Sequence, residues 1–224
     1  MNNQISYHID ICMCIDATGS MRPVIDMVKD NALEFDKRLK IALEEKEKSV
    51  DKLRIRLVVF RDIRSDGLDD ALLASDFLTF PEDRDKFHHF IEAIDAHGGG
   101  EEPESGFEAV VTAMKSDWTK DGDKRRHLIV LFTDASAYKL ESVQGMSGDY
   151  PDGMPKNFEG FVDMWEGQVM DDVSKRMLLF APNAYPWPDI AATCDEVFLI
   201  PSKAGKGLVD KHYDEIFKGI VNSV

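Results

Sequence analysis

Apolar positions along this chain keep two different rhythms, and the alternation between them predicts the elements. "IDICMCI", residues 9–15, is apolar at both parities, the pattern of a strand buried on both faces of a parallel sheet. A helical stripe follows, with Pro23 in its first turn and Val24, Val28, Ala32, Phe35, Leu39 and Ala42 on one face. "LRIRLVVF" (53–60) alternates and then becomes fully apolar. "ALLASDFLTF" (71–80), reached through the polar turn "RSDGLDD", reads as its hairpin partner at a sheet edge. "PEDRDKFHHFIEAIDAH" is a helix with Phe87, Phe90, Ile91 and Ile94 inward. Beyond "GGGEEPE" comes another, carrying Phe107, Val110, Val111, Met114 and Trp118.

The same alternation continues to the end. "HLIVLFTDAS" (127–136) is a second doubly buried strand, followed by the Gly- and Pro-punctuated stretch "KLESVQGMSGDYPDGMPKN" and a helix around 157–174. "RMLLFAPNA" (176–184) and "EVFLIPS" (196–202) are two further strands, and "GLVDKHYDEIFKGIVNSV" is a closing amphipathic helix. Six strands interleaved with helices predict a doubly wound α/β fold. Its sheet is mostly parallel and six-stranded, with one antiparallel edge strand and helices on both faces. No repeat or low-complexity linker divides residues 1–224, which read as a single domain.

Composition narrows the partners. With 43% hydrophobic residues in 224, a sizeable core is within reach. The 42 acidic against 27 basic residues give a formal charge of −15, which argues against nucleic acid or an anionic membrane as partner. Divalent cations, basic protein surfaces and plain solubility all remain compatible with it. Cys12 and Cys14 lie two apart on an extended segment and point the same way; with Cys194 they make an odd, frameworkless set of buried free thiols. That fits a reducing, cytoplasmic setting. No basic-plus-apolar leader and no apolar run long enough to span a bilayer is present.

Function in doubly wound sheets gathers at the carboxyl ends of the strands. There the chain places Asp16, Thr18 and Ser20, then Arg61 and Asp62, then Glu101, Glu102 and Glu104, then Thr133 and Asp134. Oxygen donors from separate loops suit a hard divalent cation such as Mg²⁺. Hydroxyl donors fill coordination positions without neutralising charge. A helix N-cap would account for Ser20 but not for Asp16 or Asp134. Gly98–Gly100 form a poor phosphate cradle, since no P-loop lysine follows. His88 and His89 are adjacent on a helix and face different directions. Tyr138, Tyr150, Tyr185 and Trp187 follow the fourth and fifth strands, either as a binding rim or as loop packing.

"DATGSM", "FRD", "GGGEEPE" and "FTDA", each after the expected strand, together resemble the metal-ion-dependent adhesion site of von Willebrand factor A domains. The match is closest to the subgroup with DxTGSM and GGGDxPE motifs found beside alpha-kinases and in hemicentin-like proteins. The resemblance implies that Thr18 and Ser20 bind Mg²⁺ (or Mn²⁺ or Ca²⁺) through their hydroxyls, with Asp16 and Asp134 acting directly or through water. Asp62 would orient waters around the ion. The family's third-loop threonine is replaced here by Glu101 or Glu104, a third carboxylate that would fill the role of a partner's acid internally and weaken attraction for an acidic partner. The function implied is a non-enzymatic, metal-dependent protein-binding module. One alternative is a phosphohydrolase of the haloacid dehalogenase kind, with Asp16 as nucleophile; Thr18 then stands where its general acid belongs. The other is a structural A domain whose metal only staples loops.

Overall fold

The computed structural model describes residues 6–100, 102–143, 150–167 and 169–224. The first apolar run forms the central strand β1 (Ser6–Asp16). Its alternation sends Ile9, Ile11, Met13 and Ile15 into one core and Cys12 and Cys14 into the other. Both flanking strands are parallel to it: β2 (Ser49–Phe60) and, after two short intervening strands, β5 (Lys124–Phe132). β6 (Lys175–Pro182) and β7 (Val197–Ser202) extend the parallel array outward from β5.

The other edge departs from expectation. The stretch 71–80 is not one strand but two, β3 (Leu72–Ala74) and β4 (Leu78–Phe80), both antiparallel to β2. The described sheet is therefore seven-stranded, in the order β3-β2-β1-β5-β6-β7, with β4 also on β2. Between the two pairings β2 runs from Val58 back to Ile55 while its partner runs from Ala74 to Leu78, one residue more. That is a bulge. Ser75 marks it: its hydroxyl accepts from the Leu57 amide at 3.0 Å and its carbonyl accepts from Arg56 Nε at 2.8 Å.

The long helical stripe also breaks in two, into Arg22–Asn31 and Phe35–Glu44. The Asn31 side chain donates to the Met27 carbonyl at 2.8 Å, and the Ala32 amide bonds Lys29. A side-chain amide competing for a ladder carbonyl favours a helix end. These two helices, with Arg84–Ala93 and Tyr213–Ser223, cover one face of the sheet. Gly106–Met114, Phe158–Glu166 and Trp187–Thr193 cover the other. The last of these three is a helix the sequence pattern does not suggest. All three cysteines are buried and free, and no described helix is long and apolar enough to cross a membrane.

Since the five long strands are parallel, their carboxyl ends share one end of the sheet. Asp16, Arg61 and Thr133 are therefore neighbours, tied by the Ala17 amide to Phe60 O at 2.8 Å.

Candidate metal centre

Asp16 closes β1, and because the strand is central its carboxyl is fully buried. One oxygen, Oδ1, accepts from the Thr18 amide at 2.9 Å and the Thr18 hydroxyl at 2.7 Å; the other accepts from the Thr133 hydroxyl at 2.7 Å. Thr18 Oγ1 lies 3.4 Å from Ser20 Oγ, which donates to Asp134 Oδ1 at 3.0 Å. The second Asp134 oxygen accepts from the Gly207 amide at 2.6 Å. One chain of contacts thus joins Asp16, Thr18, Ser20 and Asp134 across the ends of β1 and β5. Gly207 makes its contact at φ +55°, and a Cβ there would sit 2.2 Å from the Ser20 carbonyl. Only glycine brings that loop to Asp134.

Glu104 reaches the same crevice from the "GGGEEPE" loop. Its amide donates to Ser136 O at 2.9 Å, which ties this loop to the one carrying Asp134. Gly99, at φ +74°, packs so closely that a Cβ would lie 2.7 Å from the Thr18 methyl and 2.9 Å from Glu104 Oε1. Glu104 is 5% exposed, and its Oε2 has no hydrogen-bond partner among the described residues. Burial, then the charges of Asp16, Asp62, Asp66 and Asp134, push its carboxyl up to about 9. Asp16 rises to about 6 by burial, against the lowering pull of its Thr133 and Thr18 bonds. Among the described residues no lysine, arginine or histidine forms an ion pair with Asp16, Asp62, Glu104 or Asp134.

Buried carboxylates without a counter-charge are costly unless a cation joins them. The donors present suit a hard divalent ion: two hydroxyls, flanking carboxylates and one unpartnered buried carboxylate oxygen. Among the described residues no three His, Cys, Asp or Glu side chains are gathered as a metal cage. A mixed hydroxyl and carboxylate set is a different arrangement, and it is the one these loops build.

Residues 10–147 match the family model of the von Willebrand factor A domain, more than half of the chain. The chain belongs to that family. A Dictyostelium discoideum relative named alpha-protein kinase vwkA is 24% identical over 151 residues, covering 67% of this chain and 22% of the relative. The chain therefore spans about a fifth of that protein. The fold is similar to the pilus adhesin SpaC of Lactobacillus rhamnosus GG, at TM-score 0.58 and 9% identity, covering 100% of this chain and 31% of the adhesin. It is also similar to a von Willebrand factor type A structure from Catenulispora acidiphila, at TM-score 0.52 and 13% identity, covering 96% and 42%.

In this von Willebrand A domain the remaining predicted residues divide. Glu101 lies outside the described residues. Asp62, buried, accepts from the Arg64 amide at 2.9 Å and from the Ser65 hydroxyl at 2.7 Å, and the Tyr138 hydroxyl donates to it at 3.3 Å. Half-buried Tyr138 and Tyr185 stand beside the Asp134 loop; the Ala137 amide donates to Tyr185 O at 3.0 Å. Tyr150 turns its hydroxyl inward onto buried Glu108 at 2.6 Å. Trp187 is not a rim residue. It is fully buried, packs against Phe107 with the rings tilted by 40°, and donates from Nε1 to Ala135 O at 2.8 Å, beneath the loop it was expected to border. Gly106 explains why: a Cβ there would lie 2.7 Å from the indole, so the helix start leaves a slot for it. Thr133, expected among the oxygen donors, instead gives its hydroxyl to Asp16, and the contribution of Gly207 escaped the sequence reading because nothing local marks it.

Proposed function

We propose that this chain is a metal-dependent protein-binding module of the adhesion-site kind, non-enzymatic, with Thr18, Ser20, Asp16, Asp134 and Glu104 holding Mg²⁺, or Mn²⁺ or Ca²⁺ in its place. The observation that carries this is that, among the described residues, Oε2 of buried Glu104 is unpartnered beside Asp16, Asp62, Asp66 and Asp134, and no basic side chain pairs with Asp16, Asp62, Glu104 or Asp134. Bound there, a divalent ion supplies the missing positive charge and ties three loops into one arrangement. Asp62 holds the turn beside it, and Tyr138 and Tyr185 border the face a protein partner would meet. Protein interaction is common among von Willebrand A domains, and that supports the reading. The phosphohydrolase alternative is disfavoured by Thr18 in the place of the general acid and by three hydrogen bonds onto the would-be nucleophile Asp16. Three buried free thiols support a reducing, cytoplasmic location. The subgroup beside alpha-kinases is supported by the similarity to vwkA.

The test is thermal unfolding with Mg²⁺ or Mn²⁺ against EDTA. Metal should raise the melting temperature, since a ligand at a hundredfold excess over Kd stabilises by about 2.7 kcal/mol. Asp16→Ala should abolish the rise. A melting temperature indifferent to millimolar metal would refute the proposal.

A further inference from the structure

We propose that Glu104 is a built-in substitute for an acidic partner, so that the metal-loaded face recognises a basic segment of its partner rather than a carboxylate. The inference rests on the metal reading above and adds the chemistry of the partner. Glu104 is 5% exposed, yet among the described residues Oε2 meets no donor, and Oε1 lies close enough to Thr18 for a Cβ on Gly99 to touch both. Its backbone is held to the Asp134 loop, where its amide donates to Ser136 O and its carbonyl accepts from the Tyr138 amide at 3.4 Å, the two halves of a bridge to Ala137. Buried there, the carboxylate occupies space that another would need.

Charge points the same way. Asp16, Glu104 and Asp134 are three carboxylates against one divalent ion, which leaves negative charge in surplus once the ion is bound. An incoming carboxylate would meet that surplus, and an ammonium or guanidinium would relieve it. The surrounding surface repeats the pattern. Asp69, Asp70, Asp95 and Glu102 are exposed on the neighbouring loops, Asp70 beside His97 at 3.2 Å and Asp95 beside Arg22 at 3.7 Å. The nearby cations are largely occupied. Arg61 donates to the Asp70 and Asp95 carbonyls, Arg22 donates to Ala96 O, and Arg64 donates to Ser142 O while stacked 4.2 Å over Tyr138. Lys203 and Lys206 stand on the Asp134 side, on the loop that contributes Gly207. A basic segment would therefore lie away from Lys203 and Lys206.

The test has two parts. Mn²⁺ is first titrated calorimetrically into wild type, Glu104→Gln and Glu104→Thr, with melting in EDTA confirming that all three are folded. Labelled Lys-rich and Glu-rich peptides of equal length are then titrated by fluorescence anisotropy, with and without saturating Mn²⁺. Glu104→Gln is expected to bind Mn²⁺ at least about tenfold more weakly, the scale of loss seen when a group supporting a metal is removed. Loaded wild type should prefer the Lys-rich peptide. Glu104→Thr should gain Mn²⁺-dependent binding of the Glu-rich one. Wild-type Mn²⁺ affinity in Glu104→Gln, which would leave Asp16, Thr18, Ser20 and Asp134 as the metal site without Glu104, overturns the inference. So does a loaded wild type that takes the Glu-rich peptide as well as Glu104→Thr does. No Mn²⁺ binding by wild type overturns the metal reading, and this inference falls with it.

Discussion

Glu108 stands in the first turn of the helix Gly106–Met114, 1% exposed, with the Tyr150 hydroxyl donating to its Oε1 at 2.6 Å. Burial raises its carboxyl above the ordinary range, and the Tyr150 bond opposes that only in part. The same burial, with the Glu108 charge, raises the Tyr150 phenol. A carboxyl that is easier to protonate folded than unfolded stabilises the fold below its unfolded pKa, and that contribution is lost as pH rises through the folded value. Glu108→Gln keeps an acceptor for Tyr150 and removes the ionisation. Its urea midpoint should therefore exceed that of wild type near pH 8, with the gap closing towards pH 4. A constant gap across that range would show that the carboxyl is not what titrates. At Asp16 the short-range logic was readable in sequence, because an acid and two hydroxyls at alternate positions after a buried strand have few other uses. At Glu108 it was not, because an acid in a first helical turn is ordinary.

Among elements, the helix Trp187–Thr193 does most to position the centre from behind. Trp187 fills the slot over Gly106 and donates to Ala135 O, one residue beyond Asp134. Replacing it with alanine should cost about 3–5 kcal/mol in urea unfolding, as large buried aromatics do. Trp187→Phe retains most of the packing and loses one hydrogen bond, about 1 kcal/mol. Mn²⁺ affinity should nevertheless fall in the phenylalanine variant, because the Ala135 carbonyl loses its anchor. Unaltered affinity there would limit Trp187 to packing. In "NAYPWPD" both a rim and a packed loop were open readings, and the choice between them depends on a glycine some eighty residues away in the chain. The split edge strand has the same kind of cause: Ser75 answers to Leu57 and Arg56, which no local pattern contains.

For the molecule as a whole, the sheet sorts charge by end. The carboxylates gather at the carboxyl ends of the strands, while Lys48, Lys124 and Arg126 meet at the opposite end. There burial, then the neighbours Lys46, Arg126 and Lys124, holds the Lys48 ammonium below its ordinary value. The cysteines, all in the second core, report on its integrity. Burial lifts the Cys194 thiol to about 12 and raises Cys14 well above the ordinary range. Reaction with a thiol reagent at neutral pH should be slow in the native protein and complete for Cys12, Cys14 and Cys194 once denaturant is added. If metal stabilises the fold, Mg²⁺ should slow the native reaction further. Fast labelling without denaturant would mean that the second core opens readily.

Hydrophobic period alone determined the order of elements, the parallel sheet and the end at which chemistry collects. Each of those depends on which residues must leave water, and that is written locally at periods of two and 3.6. The four motif loops were legible for the same reason, since each is joined to a strand whose direction the pattern dictates. Tertiary structure decided what depends on distant neighbours: the bulge that makes seven strands of six, the break at Asn31, the inward turn of Trp187, the amide that Gly207 sends to Asp134. It also singled out Glu104 as an acid whose oxygen meets no donor. A side chain's charge is local, but whether that charge has a partner is set by every loop folded around it.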